Sequence, residues 1–196
     1  MKKRTISGPA LFMYIVIAVT VATAAVCFAL YYGNLTENST VLWVGIVSFM
    51  IVYHFWGRIL LGNVSKLIPW DHNCWWFREK PFEKRLYGLL SVKKWKGKAL
   101  TFDPESFNLR NHSLDEVATV MTKSEADHWI NELISLFSIL FALLWGELWI
   151  FALTAVLAML FDAQFIVIQR YNRPRILKIL NKQRMKSACP CGTRTK

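Results

Sequence analysis

Residues 148–175 read LWIFALTAVLAMLFDAQFIVIQRYNRPR, an apolar run that passes directly into a basic one. Residues 148–168 carry a single charge, Asp162. At ~1.5 Å per residue, a run of that length approaches the ~30 Å of a hydrocarbon core. The seven residues that follow pack three arginines, Gln169, Tyr171, Asn172 and Pro174 together. Arginines at a helix end commonly snorkel to lipid headgroups. The same planar guanidinium also holds phosphate or carboxylate bidentately, so the string reads either as an anchor or as an anion-binding group. Pro174 is expected to break the helix and aim the cluster.

Three further apolar stretches lie upstream, at residues 9–32, 41–61 and about 127–144. Only Gly146 and Glu147 separate the third from the fourth, at residues 148–169, which predicts a tight antiparallel hairpin. Together with a hydrophobic content of 54%, these stretches predict an all-α membrane protein with four transmembrane helices, folded as a single membrane domain. The first stretch has a basic start at Lys2-Lys3-Arg4 but is longer than the ~7–15 residues of a signal-peptide core, so it reads as an uncleaved anchor.

The basic residues set the expected orientation. The 33–40 loop has no Lys or Arg, whereas residues 58–123 hold twelve and the tail at 170–196 is again rich in them. Both termini and the long loop at 62–126 are therefore expected on the cytoplasmic side. The net charge of +11 then faces anionic lipid and phosphorylated metabolites, and nucleic acid is not an expected partner because the basic residues flank spans. Cys27 and Cys74 are isolated, and Cys189-Pro190-Cys191 lacks the second pair that a zinc site needs, so no metal is expected.

Within the long loop, residues 82–98 alternate Leu86, Leu89, Leu90 and Trp95 with basic residues, which predicts an amphipathic interfacial helix. Trp75-Trp76-Phe77 suits the same interface. Asp103-Pro104 favours a turn, and Ser113 with Glu116 forms a capping box that opens a short helix.

The strongest candidate for chemistry is Glu125-Ala126-Asp127-His128-Trp129. On a helix Glu125 and His128 share a face, and Glu132 extends it. A carboxylate that orients an imidazole leaves the other ring nitrogen to take a proton from a hydroxyl, which makes His128 the candidate general base and Glu125 its orienting acid. The alternative is an interfacial polar His beside an anchoring Trp. Asp162 is expected to pair with His54, Arg58 or the arginine string, and a purely structural salt bridge is the simpler reading.

These blocks resemble the glycosyl-4,4′-diaponeurosporenoate acyltransferase family. Its C-terminal signature is similar to Gln169-Arg170-Tyr171-Asn172-Arg173-Pro174-Arg175, and its Glu-x-x-His-Trp block fits Glu125 to Trp129. Phe82-Glu83 and Val92-Lys93-Lys94-Trp95-Lys96 resemble two more blocks, and Ile68-Pro69 a weaker one. The position of Asp162 usually holds Asn in the family. The resemblance implies a multi-pass bacterial membrane enzyme that transfers a fatty acyl group from a donor such as acyl-CoA. The acceptor would be a hydroxyl of a lipidic glycoside, and no other cofactor is implied. His128 and Glu125 would then be catalytic. Gln169, Arg170, Tyr171, Asn172, Arg173 and Arg175, with Glu83, Trp95 and Asp162, would bind substrate, Asn172 being the candidate oxyanion ligand. The rival expectation is a non-catalytic subunit whose arginines only grip membrane lipid.

Overall fold

A computed structural model describes residues 8–99 and 104–188. Lys2-Lys3-Arg4, Asp103 and the Cys189-Pro190-Cys191 motif lie outside the described residues. The fold is all-helical among the described residues: α1 (Gly8–Tyr32), α2 (Ser39–Val64), α3 (Glu83–Leu89), α4 (Val92–Trp95), α5 (Leu114–Phe137), α6 (Ala142–Trp145) and α7 (Leu148–Ala188), joined by short 3-10 turns. Four helical segments are long and apolar enough to cross a membrane. The chain is thus built as a multi-pass membrane protein.

Two compact units make up the described chain, one of residues 8–68 and 127–164, the other of residues 69–99, 104–126 and 165–188. In the first, α1 and α2 form a hairpin whose turn needs Asn34 at φ 56°. Asn38 caps α2, its Oδ1 accepting from the Thr40 amide at 2.9 Å. The helices approach closely at Gly45, where an added Cβ would lie 3.1 Å from both Cys27 Cβ and the Phe28 ring. Ile46, Met50, Ile150 and Phe151 form the buried centre, with Phe49, Phe141 and Trp145 against it. The Phe49 and Phe141 rings meet edge to face at 5.4 Å, the arrangement their quadrupoles favour. Outward-facing Leu143, Leu144 and Leu160 are exposed, as lipid-facing residues of a span must be. The expected hairpin at Gly146 is present: Gly146 takes φ 75° and its amide reaches Ala142 O at 2.7 Å.

Three local expectations change. Pro174 does not end the helix: α7 runs 41 residues through it, about twice the ~20 that a hydrocarbon core requires. A mid-helix proline costs about 3 kcal/mol through the lost N–H bond and ring clash. The neighbouring Arg173 is fully buried and tied down by its own side chain, which holds the backbone helical. The basic segment at 82–98 is not one amphipathic helix. It breaks at Ser91, in the left-handed region at φ 49° and ψ 39°, into α3 and α4. The helix that opens at Ser113 is long, not short, because α5 continues from the loop into the third span. Its capping box forms as expected, with the Ser113 amide donating to Glu116 Oε2 at 2.7 Å and the Glu116 amide to Ser113 Oγ at 3.2 Å.

Candidate functional site

In the first unit, α5 carries His128, Asn131 and Ser135 at i, i+3 and i+7, a spacing that sets them along one helical face. Asp162 of α7 is completely buried and meets this face. His128 Nδ1 lies 2.7 Å from Asp162 Oδ1, and Asn131 Nδ2 donates to the same oxygen at 3.3 Å. Arg58 of α2 forms an ion pair with Asp162 Oδ2, and its Nη1 donates to His54 O at 3.1 Å. The Arg58 guanidinium also rests over the Phe161 ring, 5.6 Å from its centroid. One helical turn along, Ser135 Oγ lies 3.4 Å from His54 Nδ1. A buried carboxylate between an arginine and an imidazole keeps its charge and fixes the ring. The His128 side chain is 19% exposed, so a ligand can reach the ring.

The residue at His128 Nδ1 is thus Asp162, not the Glu125 expected from helical spacing. Asp162 pairs with Arg58, one of the expected partners, and it takes a hydrogen-bonding place beside the candidate base. Glu132 borders a separate apolar hollow of about 280 Å³ formed with Val156, Met159, Leu160 and Ala163. Asn131 and Arg58 were not among the expected site residues. The i+3 spacing of Asn131 from His128 was the signal for the first, and an arginine inside a span the signal for the second.

In the second unit the other expected residues build a different cluster. Glu125 is fully buried, with one carboxylate oxygen accepting from Arg170 Nη1 and the other from Arg173 Nη1. Arg170 also pairs with Glu83, its Nε donating to Glu83 Oε1 at 2.9 Å. Tyr87 donates to the remaining Glu83 oxygen at 2.7 Å. Burial, then this hydrogen bond to a carboxylate, pushes the Tyr87 phenol well above its ordinary range.

The same two arginines bind the loop that carries Trp75-Trp76-Phe77. Arg170 donates to Trp76 O and to Arg78 O, each at 3.2 Å, and Arg173 donates to Phe77 O. An aromatic segment expected to lie passively at an interface is thus latched by its carbonyls. Such groups need partners when buried, and the five-donor guanidinium supplies them.

The remaining expected residues divide. Gln169 is buried and donates to Ser124 Oγ at 3.2 Å. Asn172 Oδ1 accepts from Lys96 Nζ at 2.6 Å. Trp95 Nε1 closes its own turn on Leu90 O at 2.9 Å. Tyr171 is packed edge-on against Tyr87 at 5.3 Å, and Arg175 lies over its face at 3.8 Å. Arg170 and Arg173 are therefore internal struts, whereas Tyr171 and Arg175 line an open groove.

No curated protein and no solved structure matches the chain. The sequence profile of the glycosyl-4,4′-diaponeurosporenoate acyltransferases matches residues 73–182, more than half of the 196 residues, and the chain belongs to that family.

Proposed function

We propose that this protein is a membrane acyltransferase that moves a fatty acyl group to a hydroxyl of a lipidic glycoside, a glycosyl-carotenoid-like acceptor, at the cytoplasmic leaflet. The observation that carries the reading is the 2.7 Å contact between His128 Nδ1 and the buried Asp162 carboxylate. With Nδ1–H held by Asp162, Nε2 is the nitrogen that accepts a proton. The acceptor hydroxyl attacks the acyl carbonyl carbon, and its proton passes to His128 Nε2. The new C–O bond forms as the bond from the carbonyl to the donor's leaving atom breaks. The imidazolium then returns the proton to that leaving group. Asp162 is a positioning residue: it selects the ring tautomer and stabilises the imidazolium, with Arg58 and Asn131 holding it in place. Glu125, bound by two arginines, serves the scaffold. The basic residues at 58–123 and after residue 170 support the cytoplasmic leaflet.

The test is acyl transfer by purified protein in lipid nanodiscs, with acyl-CoA and a glycolipid acceptor and the ester detected by mass spectrometry. His128→Gln should lower turnover by about 10²–10⁴, the usual contribution of a general base. Undiminished transfer by a folded His128→Gln protein would refute the mechanism.

In a second reading the protein is a non-catalytic, lipid-holding subunit; Arg170 and Arg173 are held in internal ion pairs, so the exposed Arg175 and the lysines beside it would grip the lipid. Under that reading no ester forms in the assay, and His128→Gln leaves lipid retention unchanged.

A further inference from the structure

The second unit holds a groove of about 520 Å³ that none of the ion pairs described above fills. Lys84, Lys93, Lys94, Arg175 and Lys178 line it, and Glu79 is the only carboxylate among the lining residues. Five cations against one anion leave four positive charges in excess. No carboxylate among the described residues pairs with any of these five cations, whereas Arg170 has two carboxylate partners and Arg173 and Arg184 have one each. Mutual repulsion of this kind is unfavourable in the empty groove and is relieved by a bound anion.

The walls are organised for that purpose. Ser91, itself a lining residue, adopts the left-handed conformation that turns the chain between α3 and α4. A non-glycine residue in that region is strained, and such strain collects at ligand clamps. The turn sets Lys84 of α3 and Lys93 and Lys94 of α4 around one groove with Arg175 of α7. Arg175 lies 3.8 Å from the Tyr171 ring centroid, a cation–π contact that biases its planar fork toward the groove wall. Preorganised guanidinium forks favour phosphate oxygens, and mobile lysines add charge without demanding geometry.

We propose that this groove binds a phosphorylated head carrying at least two phosphates, and that it, not the Arg170–Arg173 strut, is the anion site of the second unit. Two phosphomonoesters, at about −1.5 to −2 charges each, match the excess, and two phosphodiesters, at about −1 each, offset half of it. The volume also falls within the ~300–1,000 Å³ of small-molecule sites. The source is either the nucleotide part of a soluble activated acyl donor or a lipid headgroup that carries two phosphate groups. Only the first source rests on the acyltransferase reading.

The experiment uses full-length protein in phosphatidylcholine nanodiscs. Adenosine 3′,5′-bisphosphate, titrated calorimetrically, probes the soluble source, and native mass spectrometry of discs doped with cardiolipin probes the lipid source. Binding in either arm is expected, and the arm that binds identifies the source. The Lys93→Gln/Lys94→Gln and Arg175→Gln variants should each weaken it tenfold or more, and binding should fall steeply with added salt. Circular dichroism and melting confirm that the variants are folded, and Arg175→Lys should restore part of the loss. If neither probe binds, or if the folded variants bind as well as the parent, the proposal is wrong. His128→Gln should bind the bisphosphate normally. Binding without ester formation would refute the acyltransferase reading and leave this site standing, and ester formation without binding would do the reverse.

Discussion

Asp162 and Glu125 are both completely buried carboxylates on membrane-spanning helices, yet their surroundings differ in kind. Asp162, in the first unit, is shared by Arg58, Asn131 and the imidazole of His128. Glu125, in the second, binds two guanidiniums, Arg170 and Arg173. An arginine does not give up its proton at any pH a protein meets, so the Glu125 cluster can bear load but cannot move a proton. An imidazole has two ring nitrogens, one of which can accept a proton while the other donates to a carboxylate, so the Asp162 cluster includes a group with that capacity. Two acids of equal burial therefore have different capacities, and the partner decides which.

Substituting each acid in turn attacks this contrast most directly. Glu125→Gln leaves the buried Arg173 guanidinium without its counter-charge and Arg170 with Glu83 alone, and it should destabilise the fold by about 3–5 kcal/mol, as breaking a buried pair does. Chemical denaturation in detergent micelles measures this. A loss below ~1 kcal/mol would mean that Glu125 is not the strut described here. Asp162→Asn keeps the shape and removes the charge beside His128. Its effect should appear in turnover, because the ring loses its orienting partner, as well as in stability, because Arg58 loses its counter-charge. A drop in stability with unchanged turnover would make Asp162 a strut like Glu125.

Smaller effects sharpen the second unit's side of the contrast. Ser113→Ala removes the cap that starts α5 and should cost about 1 kcal/mol, read as a shift in the denaturation midpoint with an unchanged slope. Tyr87→Phe removes one hydrogen bond to Glu83, at a cost near ~1 kcal/mol at neutral pH. Because the folded phenol is held above its ordinary pKa of 10.0, the parent loses stability as the unfolded chain ionises above that pH. The variant has no such group at position 87, so the gap between the two proteins should narrow as pH rises past ~10. A gap that stays constant in alkaline solution would contradict the buried hydrogen bond.

Much of this was legible from residue order. The spans, the Gly146 hairpin and the Ser113–Glu116 box rest on composition, steric freedom and local spacing, which do not need the rest of the chain. The Arg-rich string and the Glu-x-x-His block identified the family for the same reason. The pairing within them was not legible. Glu125 and His128 sit i,i+3 on one helix, and local geometry alone assigns each to the other. The fold instead supplies stronger partners from distant sequence: Arg170 and Arg173 for Glu125, and Asp162 for His128. Pro174 failed as a helix stop on the same ground, because the side-chain ties of the buried Arg173 outweigh a local backbone preference.

The sequence by itself therefore determined that the chain is helical, that it has four segments long and apolar enough to span a membrane, and to which family it belongs. Apolar length, turn residues and charge are additive local quantities and survive in a one-dimensional reading. Only the tertiary structure decided which acid faces the histidine, which arginines are internal and which cations remain unpaired around a groove. Those outcomes depend on contacts across tens of residues, where a buried charge takes the partner that packing brings to it and not the nearest one along the chain.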